Sequence, residues 1–220
     1  MILGMICARG GSKGIPRKNL KQLNGIALIA YTLEDAFLFN EFDNIVISTD
    51  DEEIAGYADP GVVQMRPAEL ATDTASKWDV FRYVADCNPE YDILVDLDTG
   101  CPLRSRQDIT DCVVKLRTGY DVVVTAYESE RNPYFNMVEV DRDGFAWVCS
   151  ATDIMRRQDA PKVYSLSPSV FAIRREALYK YNHWSRALLG IVEIPRTRGL
   201  DIDTQDDWDY AEYLLEKGAK

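Results

Sequence analysis

Short, nearly unbroken apolar runs recur along this chain, and they leave it few folds to choose from. "ILGMICA" (2–8), "NIVIST" (44–49), "VVQM" (62–65), "DILVDL" (92–97) and "DVVVTAY" (121–127) are all of strand length. A run without polar alternation is the pattern of a strand covered on both faces. Between the runs, 27–39, 50–58, 76–87 and 105–119 have helical length and spacing, with Trp78, Phe81 and Val84 or Ala85 on one face of the third. Strands alternating with helices predict an α/β fold, a mostly parallel, Rossmann-like sheet with helices on both faces. Such sheets bind ligands in the crevice beyond the carboxyl ends of their strands. That rule predicts a rim built from 9–19, 49–51 and 98–104.

The rhythm breaks between 128 and 170. "NMVEVDRDGFAWVC" (136–149) reads as a β-hairpin turning at Asp143-Gly144, so 128–170 is expected to form a small projecting β arm inserted in one domain, 1–220. Strand pattern returns at 169–173 and 190–195, and 204–218 is a terminal helix with Thr204 as N-cap and Asp207 three residues on. Trp208, Tyr210, Tyr213 and Leu214 are expected to form its core face. A net charge of −11 argues against nucleic acid as partner, because phosphate-backbone affinity needs a broad basic surface. No run approaches the roughly 20 apolar residues of a membrane span, and five scattered cysteines without a CxxC pair read as reduced thiols of a cytoplasmic protein.

Against that acidic background, "ARGGSKGIPRKN" (8–19) places Gly10, Gly11 and Gly14 among the cations Arg9, Lys13, Arg17 and Lys18, with Lys21 just beyond. A glycine-rich turn between strand and helix bares backbone N–H groups that hold phosphate oxygens. It is neither GxxxxGK[ST] nor GxGxxG, and interleaved cations suit a polyphosphate. In "LDIDTQDDW" (200–208), Asp201 and Asp203 are two apart, so on an extended segment both carboxylates face one way and can share a Mg²⁺ ion. The alternative has Asp203 decorating a helix N-terminus and Asp201 in solvent. Asp96 and Asp98 make a second pair at the end of the fourth strand, where a carboxylate can also simply bond loop amides. Arg66, Arg156, Arg157 and Lys162 read equally as ligands or surface cations. His183, the only histidine, reads as structural.

The ordered blocks from "ICARGGSKGIPRKNLKQLNG" through "RPAELATDTAS", "PLRSRQDI", "RNPYFNMVE" and "RRQDAPKVY" to "LDIDTQDDWDYAE" resemble the CMP-sialic acid synthetase (N-acylneuraminate cytidylyltransferase) family nearly end to end. The resemblance implies an α/β nucleotidyltransferase that transfers CMP from CTP to the anomeric hydroxyl of a nonulosonic (sialic-type) acid, with Mg²⁺, as a homodimer whose arm reaches the neighbouring subunit. It implies that Arg9, Gly10, Gly11, Ser12, Lys13, Lys18 and Asn19 grip the triphosphate and that Arg66, with Ser76 nearby, faces the nucleoside. It further implies that Asp201 and Asp203 bind metal, that Asp98, Arg157, Lys162 and Tyr164 face the sugar, and that Lys18, Arg9 and Asp203 serve catalysis, Asp203 as proton acceptor. The family's QPTSPLR reads "DTGCPLR" (98–104) here, so Asp98 stands for a glutamine and would prefer a cation, either Mg²⁺ or an amino group. "LSPS" (166–169) also departs on the acceptor side. Two other readings stay open: the sister activity on the eight-carbon acid KDO, and a CTP-binding regulator without turnover.

Overall fold

The apolar runs are strands, and the protein covers them from both sides except at 63–65, a half-buried strand at the edge of the sheet with Met65 exposed. In chain order the elements are β1 (Ile2–Cys7), β2 (Gln22–Leu23), β3 (Ile26–Ala27), α1 (Leu28–Phe37), β4 (Asn44–Thr49), α2 (Glu52–Ala55), β5 (Val63–Met65), α3 (Lys77–Cys87), β6 (Ile93–Leu97), α4 (Arg106–Arg117), β7 (Val122–Glu128), β8 (Val138–Val140), β9 (Ala146–Val148), β10 (Tyr164–Arg174), α5 (Arg175–Lys180), β11 (Leu189–Glu193) and α6 (Gln205–Glu216). This computed structural model describes residues 1–150, 154 and 156–219; the rest of the 128–170 arm lies outside the described residues.

Seven strands form one sheet in the order β11-β7-β10-β6-β1-β4-β5. β5, β4, β1 and β6 are mutually parallel, as are β7 and β11, and β10 runs antiparallel to both of its neighbours. Alternate residues of each strand face opposite layers. Ile2, Ile6, Val95 and Val123 pack with Ile29, Leu33, Ile109 and Val113 of α1 and α4. Leu3, Met5, Leu94 and Val124 pack with Trp78, Phe81 and Val84 of α3 and Leu178 of α5. Of the 50–58 stretch only one turn, Glu52–Ala55, is helical, capped by the Asp51 carboxylate.

Within β10 the register against β7 shifts between Ser167 and Phe171. Pro168 sits in this irregular stretch, where its missing N–H costs no ladder bond. The Thr125 hydroxyl fills the gap, donating to the Ser167 carbonyl at 2.9 Å and accepting from Val170 N–H at 3.1 Å. β8 and β9 pair as the expected hairpin, with Gly144 at φ 89° in its turn, a conformation that favours glycine. On α6, Trp208, Ala211 and Leu214 are buried, whereas Tyr210 and Tyr213 are exposed, which corrects the expected core face. The apolar stripe follows i, i+3 and i+6 and leaves the tyrosines on its flank.

Candidate active site

Two buried isoleucines fix the geometry of the rim. Ile15 from the glycine loop and Ile202 from the Asp201-Ile202-Asp203 segment enter one cluster with Leu23, Leu28, Tyr31 and Trp208. Burying Ile202 turns the aspartates on either side of it away from that core. Gly14 passes so close beneath that a Cβ would lie 2.0 Å from the Asp203 carbonyl oxygen. Asn19 ties the loop to the next segment: its amide donates to Arg9 O at 3.0 Å and accepts from Thr99 Oγ1 at 2.8 Å.

The loop cations meet internal carboxylates. Arg9 and Lys13 both approach Asp73, each at 2.9 Å, and hold its carboxyl below the usual range, the Lys13 hydrogen bond most strongly. Arg17, with φ 52°, reaches Glu53 at 2.8 Å and Asp51 at 3.5 Å. Lys18 Nζ donates to the Ile202 carbonyl and lies 3.2 Å from Asp203 Oδ1. Gly10 N–H donates to Asp50 Oδ1 at 3.1 Å. Gly11 faces open space.

The second aspartate pair divides. Asp96 is fully buried below the rim, which corrects its expected place on it, and burial pushes its carboxyl up. Asp98 stays at the rim, and its cation is an amino group: Lys77 Nζ lies 2.7 Å from Asp98 Oδ2 and 2.7 Å from Asp96 Oδ2. Burial disfavours charge on Lys77, yet the two carboxylates outweigh it and hold the ammonium well above the usual lysine range. Asp98 is likewise penalised by burial, but Lys77 and the Gly100 N–H, at 2.8 Å from Oδ1, hold it low. Across Gly100 stands Asp201; a Cβ on Gly100 would lie 2.3 Å from Asp201 Oδ1 and 3.3 Å from Asp98 Oδ1. Burial, then repulsion from Asp98 and Asp203, pushes Asp201 up to about 7. Among the described residues no three His, Cys, Asp or Glu side chains form a ready metal cage.

Arg104 pins the segment from below. Its buried guanidinium donates to Thr32 Oγ1 at 2.8 Å, Asp98 O at 2.9 Å, Asp35 Oδ2 at 3.3 Å and the Ser169 carbonyl. It therefore joins the 98–104 turn to the irregular stretch of β10.

Two clefts of about 250 Å³ each meet over this rim. One is lined by Arg66, Leu70, Thr72, Lys77 and Val80, the other by Ser12, Lys13, Lys18, Asn19 and Asp203, and they share Cys7, Arg9 and Asp98. Arg66 is buried, donates to Ser48 O at 2.6 Å, and keeps its Nε without a partner. Ser76 caps α3, accepting from Trp78 N–H at 3.1 Å. Arg157 and Lys162 line a separate cavity at the foot of the arm, Lys162 paired with Glu128 at 3.0 Å, while the Tyr164 hydroxyl donates to Glu193 at 3.1 Å. Arg156 pairs locally with Asp159, and His183 caps its own turn, accepting from Ser185 N–H. Sequence reasoning missed Lys77, Asp73 and Arg104. One signal was available: Lys77 holds the first helical position, where the helix dipole disfavours a cation.

A family model described as cytidylyltransferase matches residues 3–214. The chain is 36% identical to the post-translational flagellin modification protein B of Campylobacter coli, over 98% of this chain and 95% of that one. It is 33% identical to the CMP-N,N'-diacetyllegionaminic acid synthase of Campylobacter jejuni, over 97% and 94% respectively. Among solved structures, CMP:2-keto-3-deoxy-manno-octonic acid synthetase complexed with CTP aligns over 99% of each chain with TM-score 0.75 at 18% identity, a likeness of fold.

Proposed function

The chain belongs to the cytidylyltransferase family, and from that premise we propose that it transfers CMP from CTP to the anomeric hydroxyl of a nonulosonic, sialic-type acid, releasing pyrophosphate. The observation that carries this reading is the pair of clefts joined over Arg9 and Asp98, one ending at the buried Arg66 and the other at the glycine loop. A nucleotide spanning both has its base at Arg66 and its outer phosphates among Ser12, Lys13 and Lys18, with Gly10 and Gly11 amides beside them. Arg9 and Lys13 exchange Asp73 for phosphate oxygens as it binds. Asn19 and Ser76 support this side by shaping the loop and the start of α3.

The chemistry is an in-line displacement at the α-phosphorus. The acceptor oxygen forms the new P–O bond while the bond to pyrophosphate breaks. Positioning and charge neutralisation supply the rate in such transfers. Lys18 and Arg9 offset charge gathering on the leaving group, and Asp203 is the carboxylate assigned to take the hydroxyl proton. The donors at Gly100 fit Mg²⁺: they are oxygen only, and Asp98 and Asp203 crowd the Asp201 carboxylate with like charge that Lys18 and Lys77 offset only in part. Asp201 and Asp203 would hold the ion, which would neutralise triphosphate charge when bound. Asp98 at the rim, Lys162 and Arg157 in the separate cavity at the foot of the arm, and Tyr164 beside Glu193 are the residues assigned to the acceptor in this reading.

Phe135, Met137, Val138, Val140, Phe145, Trp147 and Val148 of the arm are exposed. Apolar surface on that scale supports a second copy of the chain as its cover, in a homodimer. Five free cysteines accord with a reducing, cytoplasmic setting; among the described residues no helix is long and apolar enough to cross a membrane.

Pyrophosphate release with CTP and Mg²⁺ tests the proposal, with N-acetylneuraminate, N,N'-diacetyllegionaminate, pseudaminate and KDO offered in parallel. Release with a nine-carbon acid is expected. Release with KDO alone would replace the acceptor class, and CTP binding with no release from any acid would make the chain a regulator.

A further inference from the structure

Lys77 holds a place at the rim that helix formation does not explain. It opens α3, where its charge opposes the helix dipole, and its ammonium sits between two carboxylates at 2.7 Å each. One of these, Asp96, is fully buried, and burial pushes its carboxyl up. The other, Asp98, borders both clefts. A nucleotide lying across the two must carry its innermost phosphate past Asp98, because the nucleoside end is at Arg66 and the outer phosphates are at Lys13 and Lys18. Asp98 and Asp201 flank Gly100, and the cations that act on this acidic side are Lys77 on Asp98, Lys18 on Asp203, and both on Asp201.

We infer that Lys77 is a positioning residue that acts as the internal counter-ion of Asp98, cancelling its charge so that a polyphosphate can cross the junction of the two clefts. The inference rests on the reading of the site as a CTP site. Lys77 does its work through Asp98 and makes no contact of its own with phosphate. The pair thus behaves toward the nucleotide as a neutral group, while Asp98 remains anchored by the Gly100 N–H.

The distinguishing experiment is a charge-compensation cycle read by CTP binding in a calorimeter, with Mg²⁺ present and no acceptor. Lys77→Met should weaken CTP about tenfold or more, the effect of one unscreened charge near the phosphates. Adding Asp98→Asn to Lys77→Met should return affinity to within about threefold of the parent, because the charge and its counter-ion are then both absent. If Lys77→Met fails to fold because Asp96 loses its partner, the same comparison is made in an Asp96→Asn background. Unchanged affinity in Lys77→Met overturns the inference. So does a double variant that stays as weak as the single one, which would make Lys77 a direct phosphate ligand. A parent chain that binds no CTP overturns the reading of the site and this inference together.

Discussion

The rim and the arm treat their side chains in opposite ways. At the rim, Arg9, Lys13, Arg17, Lys18 and Lys77 each have an internal carboxylate. In the arm, Val140, Phe145 and Trp147 are about two-thirds exposed, and β8 and β9 pair only with each other. The difference teaches that one region is organised in advance around charge, whereas the other carries surface that the monomer leaves uncovered. Substitutions at the rim should therefore reach into folding or chemistry, and substitutions in the arm should reach mainly into association.

The largest effect belongs to Arg104. Arg104→Met removes a buried guanidinium that bonds Thr32, Asp35 and the carbonyls of Asp98 and Ser169, and should lower unfolding free energy by about 3–5 kcal/mol, read from urea midpoints. Lys18→Ala should leave the melting temperature nearly unchanged but raise the barrier by about 2–4 kcal/mol, measured as pyrophosphate release. Equal losses of stability and rate would make Lys18 a structural strut instead. Thr204→Ala removes the capping box of α6 beside Asp203 and should cost about 1 kcal/mol of stability. In the arm, Trp147→Ser should move stability by no more than about 0.5 kcal/mol while shifting sedimentation from dimer toward monomer. If it destabilised the chain as much as Arg104→Met, the contrast between the regions would fail.

Much of the architecture was legible because strands buried on both faces write themselves as apolar runs, and β1, β4, β6 and β7 were each read that way. The glycine loop was legible too, since its one-sign charge stands out in an acidic chain. Other features were not, for physical reasons. The direction of β10 depends on which strands it enters between, and "SVFAI" is equally apolar in either direction. Lys77 looks like an ordinary lysine on a helix; only folding brings it to Asp98, 21 residues away. The departure at Asp98 did predict its partner's chemistry, an amino group or a metal, because a carboxylate in place of an amide demands a cation. Tyr210 and Tyr213 were misread since residues two and five positions after Trp208 fall beside the buried stripe of α6 instead of in it.

The strand order has a consequence for how the molecule is born on the ribosome. β6 and β7 are consecutive strands yet do not pair; among the described residues β10 is the strand that pairs with both and joins the β5-β4-β1-β6 half of the sheet to the β7-β11 half. Chains emerge N-terminus first, so the glycine loop leaves the exit tunnel long before the strand that closes the sheet. Asp201 and Asp203 arrive later still. During synthesis the nascent chain exposes a basic loop that lacks the Asp203 contact of Lys18 until the acidic segment around Asp203 has been made.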